Sequence, residues 1–134
     1  MSNWGFVYCL ANESMPGIYK IGFTDRAPMR RIDELSSATG VPEPFKLFFF
    51  MQNIDAYASE IEIHRTLSKF RVSRSREFFR VNLLVIKDIF EGYVDRDEDV
   101  ILSGDFLDYL ESIQGDMEFH KSQFSTQSKR LNHE

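Results

Sequence analysis

The first chemistry this sequence offers is cations placed as if for phosphate. Arg65, Lys69, Arg71, Arg74, Arg76 and Arg80 crowd residues 64–80 against a single acid, Glu77. Lys20, Arg26, Arg30 and Arg31 form a second group. A charge run is ordinarily a solvated face, but two such groups interleaved with aromatics are what a phosphate-binding surface needs. Glu60 and His64 stand four residues apart, so on a helix both project from one side. That spacing equally describes an ordinary surface pair. Tyr8 and Tyr19 lie in apolar runs, where core tyrosines are common.

The overall charge of -5 conceals this arrangement. Residues 1–90 hold 12 Lys+Arg against 10 Asp+Glu, a net of +2, whereas residues 91–134 hold 4 against 11, a net of -7. The positive surface therefore belongs to the first part, and an acidic appendix follows it. The single cysteine, Cys9, excludes a disulfide scaffold and a Cys-rich zinc site. No segment reaches the ~18 apolar residues of a membrane span. Met1-Ser2-Asn3-Trp4 lacks the basic start and apolar stretch of a secretory signal. The expectation is a soluble cytoplasmic protein.

The elements that must position these residues are legible as a coarse pattern. Phe6–Leu10 and Ile18–Gly22 read as two strands joined by the turn residues Asn12–Gly17. Asp25 is the candidate cap of a first helix with Pro28 in its first turn, and Met29, Ile32 and Leu35 on its buried side. Gly40, Pro42 and Pro44 end it. Phe45–Met51 is a third strand. Asp55 starts a second helix with Tyr57, Ile61, His64 and Leu67 at helical spacing. Val72–Arg76 is a basic loop, and Glu77-Phe78-Phe79 is a short strand or a helix start. Asn82 caps a third helix running to about Tyr93. After the acidic break Asp95–Asp99, a fourth helix spans about Gly104–Ile113. The order predicts an α+β domain, a small three-stranded antiparallel sheet flanked by helices with an extra C-terminal acidic helix. Residues 1–94 form the main domain, 95–115 the acidic helical appendix and 116–134 a polar, disordered tail.

Phe6-Val7-Tyr8 and Tyr19-Lys20-Ile21-Gly22, about a dozen residues apart, resemble the paired motifs of the GIY-YIG nuclease superfamily. The likeness is to its phage and bacterial branch. Thr24, Arg31 with Glu34-Leu35, the Thr39-Gly40-Val41-Pro42 turn, Glu60–His64 and Arg76-Glu77-Phe78-Phe79 follow in the same order. The resemblance covers residues 5–82. The first motif keeps only its tyrosine, Lys20 stands where many relatives have tyrosine, and the asparagine placed after the glutamate helix has no counterpart.

The resemblance implies a metal-dependent endonuclease that hydrolyses DNA. Hydrolysis of a phosphodiester requires a deprotonated water, neutralised phosphoryl charge, a stabilised leaving oxygen and an aligned strand. The resemblance assigns Glu60 to a Mg²⁺ or Mn²⁺ ion, which needs only one or two carboxylates. It assigns Arg31, preferred over Arg30 because of the following Glu34-Leu35, to the scissile phosphate. Tyr8 is the candidate general base and requires a nearby cation, Lys20 or Arg31, because a free tyrosine near pKa ~10 is a poor one. Tyr19, His64 and Glu77 complete the candidate site. Arg31 has a plainer alternative, an ion pair with Glu34 or Asp33, and Glu77 an ion-pair network with its arginines. Gly22 keeps the approach of phosphate or of the next helix clear. Arg26, Arg30, Lys69, Arg71, Arg74 and Arg76 are the candidate nucleic-acid contacts. The second expectation is a catalytically weak or inactive binding or regulatory protein on the same scaffold. Its acidic end would cover the basic face, mimic DNA for a protein partner, or form a dimer contact through Phe106, Leu107, Leu110 and Ile113, a stripe that more commonly packs internally.

Overall fold

A computed structural model of the chain describes residues 4–37, 40, 42–73 and 77–113. The expected disordered tail, Arg74 and Arg76 lie outside the described residues. Five strands form one antiparallel sheet in the order β4-β2-β1-β3-β5. They are β1 (Gly5–Ala11), β2 (Ile18–Thr24), β3 (Lys46–Asn53), β4 (Phe78–Arg80) and β5 (Ile101–Leu102). The helices are α1 (Pro28–Ser36), α2 (Ala56–Thr66), α3 (Leu83–Glu91) and α4 (residues 104–113), with a short 3₁₀ turn at Ser68–Phe70.

The expected three-stranded sheet is therefore corrected to five strands. Its three members are the central ones, and β4 and β5 close the two edges. Runs of three and two residues are too short to show a period of two. β5 falls in the short apolar run Val100-Ile101-Leu102 between the acidic break and the following helix, too brief to tell a strand from a helix entry.

The two faces of the sheet are covered unequally. On one face Val7, Cys9, Ile21, Phe49, Met51 and Phe79 meet Ile63 of α2, Ile86 and Phe90 of α3 and Phe106 of α4. Phe49 makes edge-on contacts with Phe90 at 5.1 Å and Phe106 at 5.2 Å between ring centroids. Each such pair contributes about 0.5–1.5 kcal/mol beyond the area it buries. The acidic C-terminal helix is thus anchored in the main core by Phe106, while Leu107 remains exposed. On the other face α1 is, among the described residues, the one helix over the sheet, and a smaller cluster of Tyr8, Leu10, Ile32 and Leu47 packs beneath it.

Three helix details depart from expectation. α1 begins at Pro28 with Ala27 at its cap position and no side-chain cap, so Asp25 does not cap it. Met29 is exposed, leaving Ile32 and Leu35 to pack. In α2 the buried stripe is Ala56, Glu60, Ile63 and Leu67, while Tyr57 and Ile61 face outward. A polar residue holds a position in an otherwise apolar i, i+4, i+7, i+11 series, which disguises the true face. Asn82 caps α3 as expected, its side chain accepting from the Leu84 amide at 2.8 Å.

Register puts Tyr8 directly across from Gly22 on the sparsely covered face. A Cβ built on Gly22 would lie 2.3 Å from the Tyr8 hydroxyl oxygen and 2.5 Å from its Cζ. Tyr8 is 1% exposed, so displacing its ring disturbs its packing in the cluster with Leu10, Ile32 and Leu47. Gly22→Ala should therefore cost about 1–3 kcal/mol, the usual range for overpacking. Urea unfolding of the two proteins would check it.

Candidate active site

Tyr8, Lys20 and Arg31 stand on the face that α1 covers, whereas Glu60 and His64 come from α2, which packs against the other face beside β2. β2 presents Ile18, Lys20, Gly22 and Thr24 on the α1 side, because alternate strand residues share a face. Tyr8 rises beside Gly22 from β1. Arg31 descends from α1, and its guanidinium meets the Tyr8 hydroxyl. The same guanidinium makes a 3.2 Å contact with Glu34, whose other oxygen holds Arg26 at 2.7 Å. The alternative pairing of Arg31 with Glu34 is thus present alongside the Tyr8 contact. These exposed pairs are worth at most about 1 kcal/mol each and give way readily.

At the outer edge of β2, Lys20 and Glu77 join at 2.9 Å. The Lys20 side chain is mostly buried, and its Nζ stands 5.2 Å from the centroid of the Phe78 ring. Glu77 also receives the Ile21 amide on its carbonyl oxygen at 3.0 Å. The Ile21 carbonyl faces the same edge and accepts from His64 Nε2 at 2.8 Å. A carbonyl only accepts, so the proton on that ring sits on Nε2. His64 further packs on Phe79 at 5.1 Å. Burial lowers its pKa, reinforced by Arg71 and Lys20 and opposed by the Ile21 bond and Glu77. The ring is therefore neutral at pH 7.

Glu60 comes from the buried stripe of α2 and is 8% exposed. Burial, helped by the charge of Glu77 and opposed by Lys20, raises its carboxyl to about 7. Tyr8 is likewise raised above the tyrosine range, chiefly by burial. The Arg31 contact pulls it the other way, while Glu77 and Glu60 add to the rise. Tyr8 thus feels Arg31, Glu77 and Glu60, while Glu60 and His64 each feel Glu77 and Lys20.

Tyr19 stands apart from these groups. It lies on the face opposite Tyr8, 6% exposed, against Phe48 and Tyr109. Alternation along β2 decides this, since Lys20 and not Tyr19 shares the side of Gly22 and Tyr8. Arg26 and Arg30 are exposed beside the site on the α1 side. Lys69 and Arg71 flank its other side, each over an aromatic ring, Phe70 at 5.1 Å and Phe79 at 5.4 Å. Gly22 has a different task from the one expected, seating the Tyr8 ring. Counting from the Asn12–Gly17 turn alone would pair 8 with 21, so the observed closure at Ala11 and Tyr19 is needed to bring Gly22 opposite Tyr8.

No three of His, Cys, Asp and Glu gather into a metal-ligand group among the described residues. A hard divalent ion that keeps its waters needs fewer, one or two carboxylates. Glu60 fits that demand, a buried carboxylate whose charged form is opposed by burial and by a second carboxylate. Glu60 is the carboxylate able to hold a cation there, and Glu77, whose charge acts on it, is paired with Lys20.

Residues 5–94 match the family model of the T5orf172 domain. No curated protein and no solved structure matches the chain. No helix among the described residues is long and apolar enough to cross a membrane.

The raised Glu60 carboxyl makes a stability prediction. Its folded pKa lies above the ordinary value of 4.5, so the folded state binds the proton more tightly than the unfolded chain. Its contribution is neutral below about pH 4.5 and becomes increasingly unfavourable as pH rises to about 7. Glu60→Gln should remove that loss. Relative to wild type it should gain on the order of 2 kcal/mol between pH 4.5 and 7.5 in metal-free buffer. Denaturant titrations at several pH values would measure the difference.

Proposed function

The chain belongs to the T5orf172 domain family, and from that premise and the site's geometry we propose that it is a metal-dependent endonuclease of GIY-YIG type that hydrolyses DNA. The observation carrying this reading is that Tyr8, seated against Gly22, is acted on by Arg31, Glu77 and Glu60 together, with Lys20 paired to Glu77. Arg31 binds the scissile phosphate with its fork of donors and opposes the added charge. Its weak pairing with Glu34 is surrendered to do so. Tyr8 rests as a neutral phenol and orients the attacking water. It becomes a base when its own proton leaves, a change that the adjacent Arg31 favours. Lys20 holds Glu77 in place and adds positive charge to the strand's approach. His64 ties α2 to the β2 edge through the Ile21 carbonyl and so positions Glu60 one turn away.

A Mg²⁺ or Mn²⁺ ion held by Glu60, with Glu77 beside it, would supply charge against the phosphoryl and leaving oxygens. The water oxygen attacks phosphorus, the P–O ester bond breaks, and the departing oxygen takes up a proton. Arg26, Arg30, Lys69 and Arg71 contact backbone phosphates on either side of the site. One observation favours the second reading, a nucleic-acid-binding regulator. Lys20 is committed to Glu77, so less cationic help reaches Tyr8 than a fast enzyme would need.

A plasmid-nicking and single-strand cleavage assay separates the two. Wild type should cut with Mg²⁺ or Mn²⁺ and stop in EDTA. Glu60→Ala and Arg31→Ala should each lose about 10²–10³-fold in rate while remaining folded. The wild-type rate should climb with pH beyond neutrality, because the tyrosine that must lose its proton is held above its ordinary range. Folded wild type that cuts no form of DNA would overturn the enzyme reading in favour of the regulator.

A further inference from the structure

Beyond Lys20, the face of β2 that carries it continues into a cavity of about 420 Å³. Its walls include Met15, Ile18, Pro42, Phe45, Val72 and Phe78, and they are chiefly apolar. Such a volume accommodates a small organic ligand. Phe45 and Phe78 lie in a near-parallel stack, 28° apart with centroids at 6.3 Å. The Phe78 ring belongs to both places at once, lining the cavity and carrying Lys20 Nζ at 5.2 Å. Ile18, Lys20, Gly22 and Thr24 therefore make one line along the strand. Its far end opens into a second recess, lined by Thr24, Arg26, Arg31 and Glu34. Four residues separate Ile18 from Gly22, roughly 13 Å at strand rise.

We propose that this cavity is a nucleobase subsite, and that the strand held at Arg31 lies along β2 with an unpaired base in the aromatic pocket. The inference rests on the nuclease reading only for the nucleic-acid nature of the ligand. Cations and an apolar aromatic recess, joined through one shared ring, match the two halves of a nucleotide. Phosphates follow Arg31, and a base lies against the Phe45 and Phe78 rings that line the recess. Two polar groups of the lining, Asn12 and Ser14, are already engaged. Asn12 donates to the Glu43 carbonyl at 2.8 Å and accepts from the Ser14 amide and hydroxyl at 2.9 and 2.6 Å. Recognition is then by stacking and tolerant of base identity. A base paired within a duplex cannot enter, so the substrate class is a single strand, a flap or a flipped-out nucleotide.

The test is equilibrium binding by wild-type protein in EDTA, where no cutting is required. Fluorescence anisotropy would compare a short oligothymidylate, an abasic deoxyribose-phosphate chain of equal length and the corresponding blunt duplex. The oligothymidylate should bind about tenfold or more tightly than the abasic chain, and more tightly than the duplex. Phe78→Leu, which keeps an apolar side chain of similar bulk, should erase the difference between the two single strands. Arg31→Ala should weaken all three ligands together. Equal affinity for thymidylate and abasic chains would overturn the subsite, as would a difference unchanged in folded Phe78→Leu. A protein that binds this way without cutting any DNA would lose the enzyme reading but keep the subsite.

Discussion

The arrangement depends on a side chain that is not there. The missing Cβ of Gly22 leaves a hollow in β2, and the ring of Tyr8 fills it from the neighbouring strand. With the ring seated, its hydroxyl points to where α1 brings Arg31. The rest of the sparsely covered face is organised around that contact. A larger residue at 22 would move the tyrosine, and with it the partner that holds Arg31 over the sheet.

The second constraint is a carboxylate in the wrong company. Glu60 occupies a core position of α2 between Ala56 and Ile63, where an apolar residue would be more stable. Nothing in packing asks for it. Burial and Glu77 both oppose its ionisation, and only Lys20 helps. Residues that cost stability at a converging site are where function is expected to lie. His64 contributes differently, supplying the donor that the sheet lacks where β4 gives out. It connects the placement of the carboxylate to an ordinary rung of backbone hydrogen bonding.

Much of this was legible in the sequence because it follows from period and turn chemistry. The three central strands, the four helices and the cap at Asn82 came from alternation, helical spacing and residue type. The two edge strands did not, being too short for any period to show. The direction of α2 was misread because the polar Glu60 interrupts its buried series. In the candidate site, alternation along β2 separates Lys20 from Tyr19, a distinction that side-chain type alone leaves open. That the charge of Glu60 reaches Tyr8 links elements some fifty residues apart, and the fold is needed to reveal it. The pairing of Lys20 with Glu77 is of the same kind.

The acidic end of the chain has a consequence for what counts as the unit of folding. The family match stops at residue 94, yet β5 lies beyond it and pairs with Phe49 and Phe50. The Ser103 amide continues the ladder onto the Phe48 carbonyl at 2.9 Å. Phe106 then fills the place beside Phe49. Cut at the family boundary, β3 would become a bare edge carrying Phe48, Phe49 and Phe50, a template for another strand. The boundary by which the domain is recognised and the boundary at which the protein is closed are therefore different places in this chain. Its strongly negative segment serves the fold as a lid on a hydrophobic seam.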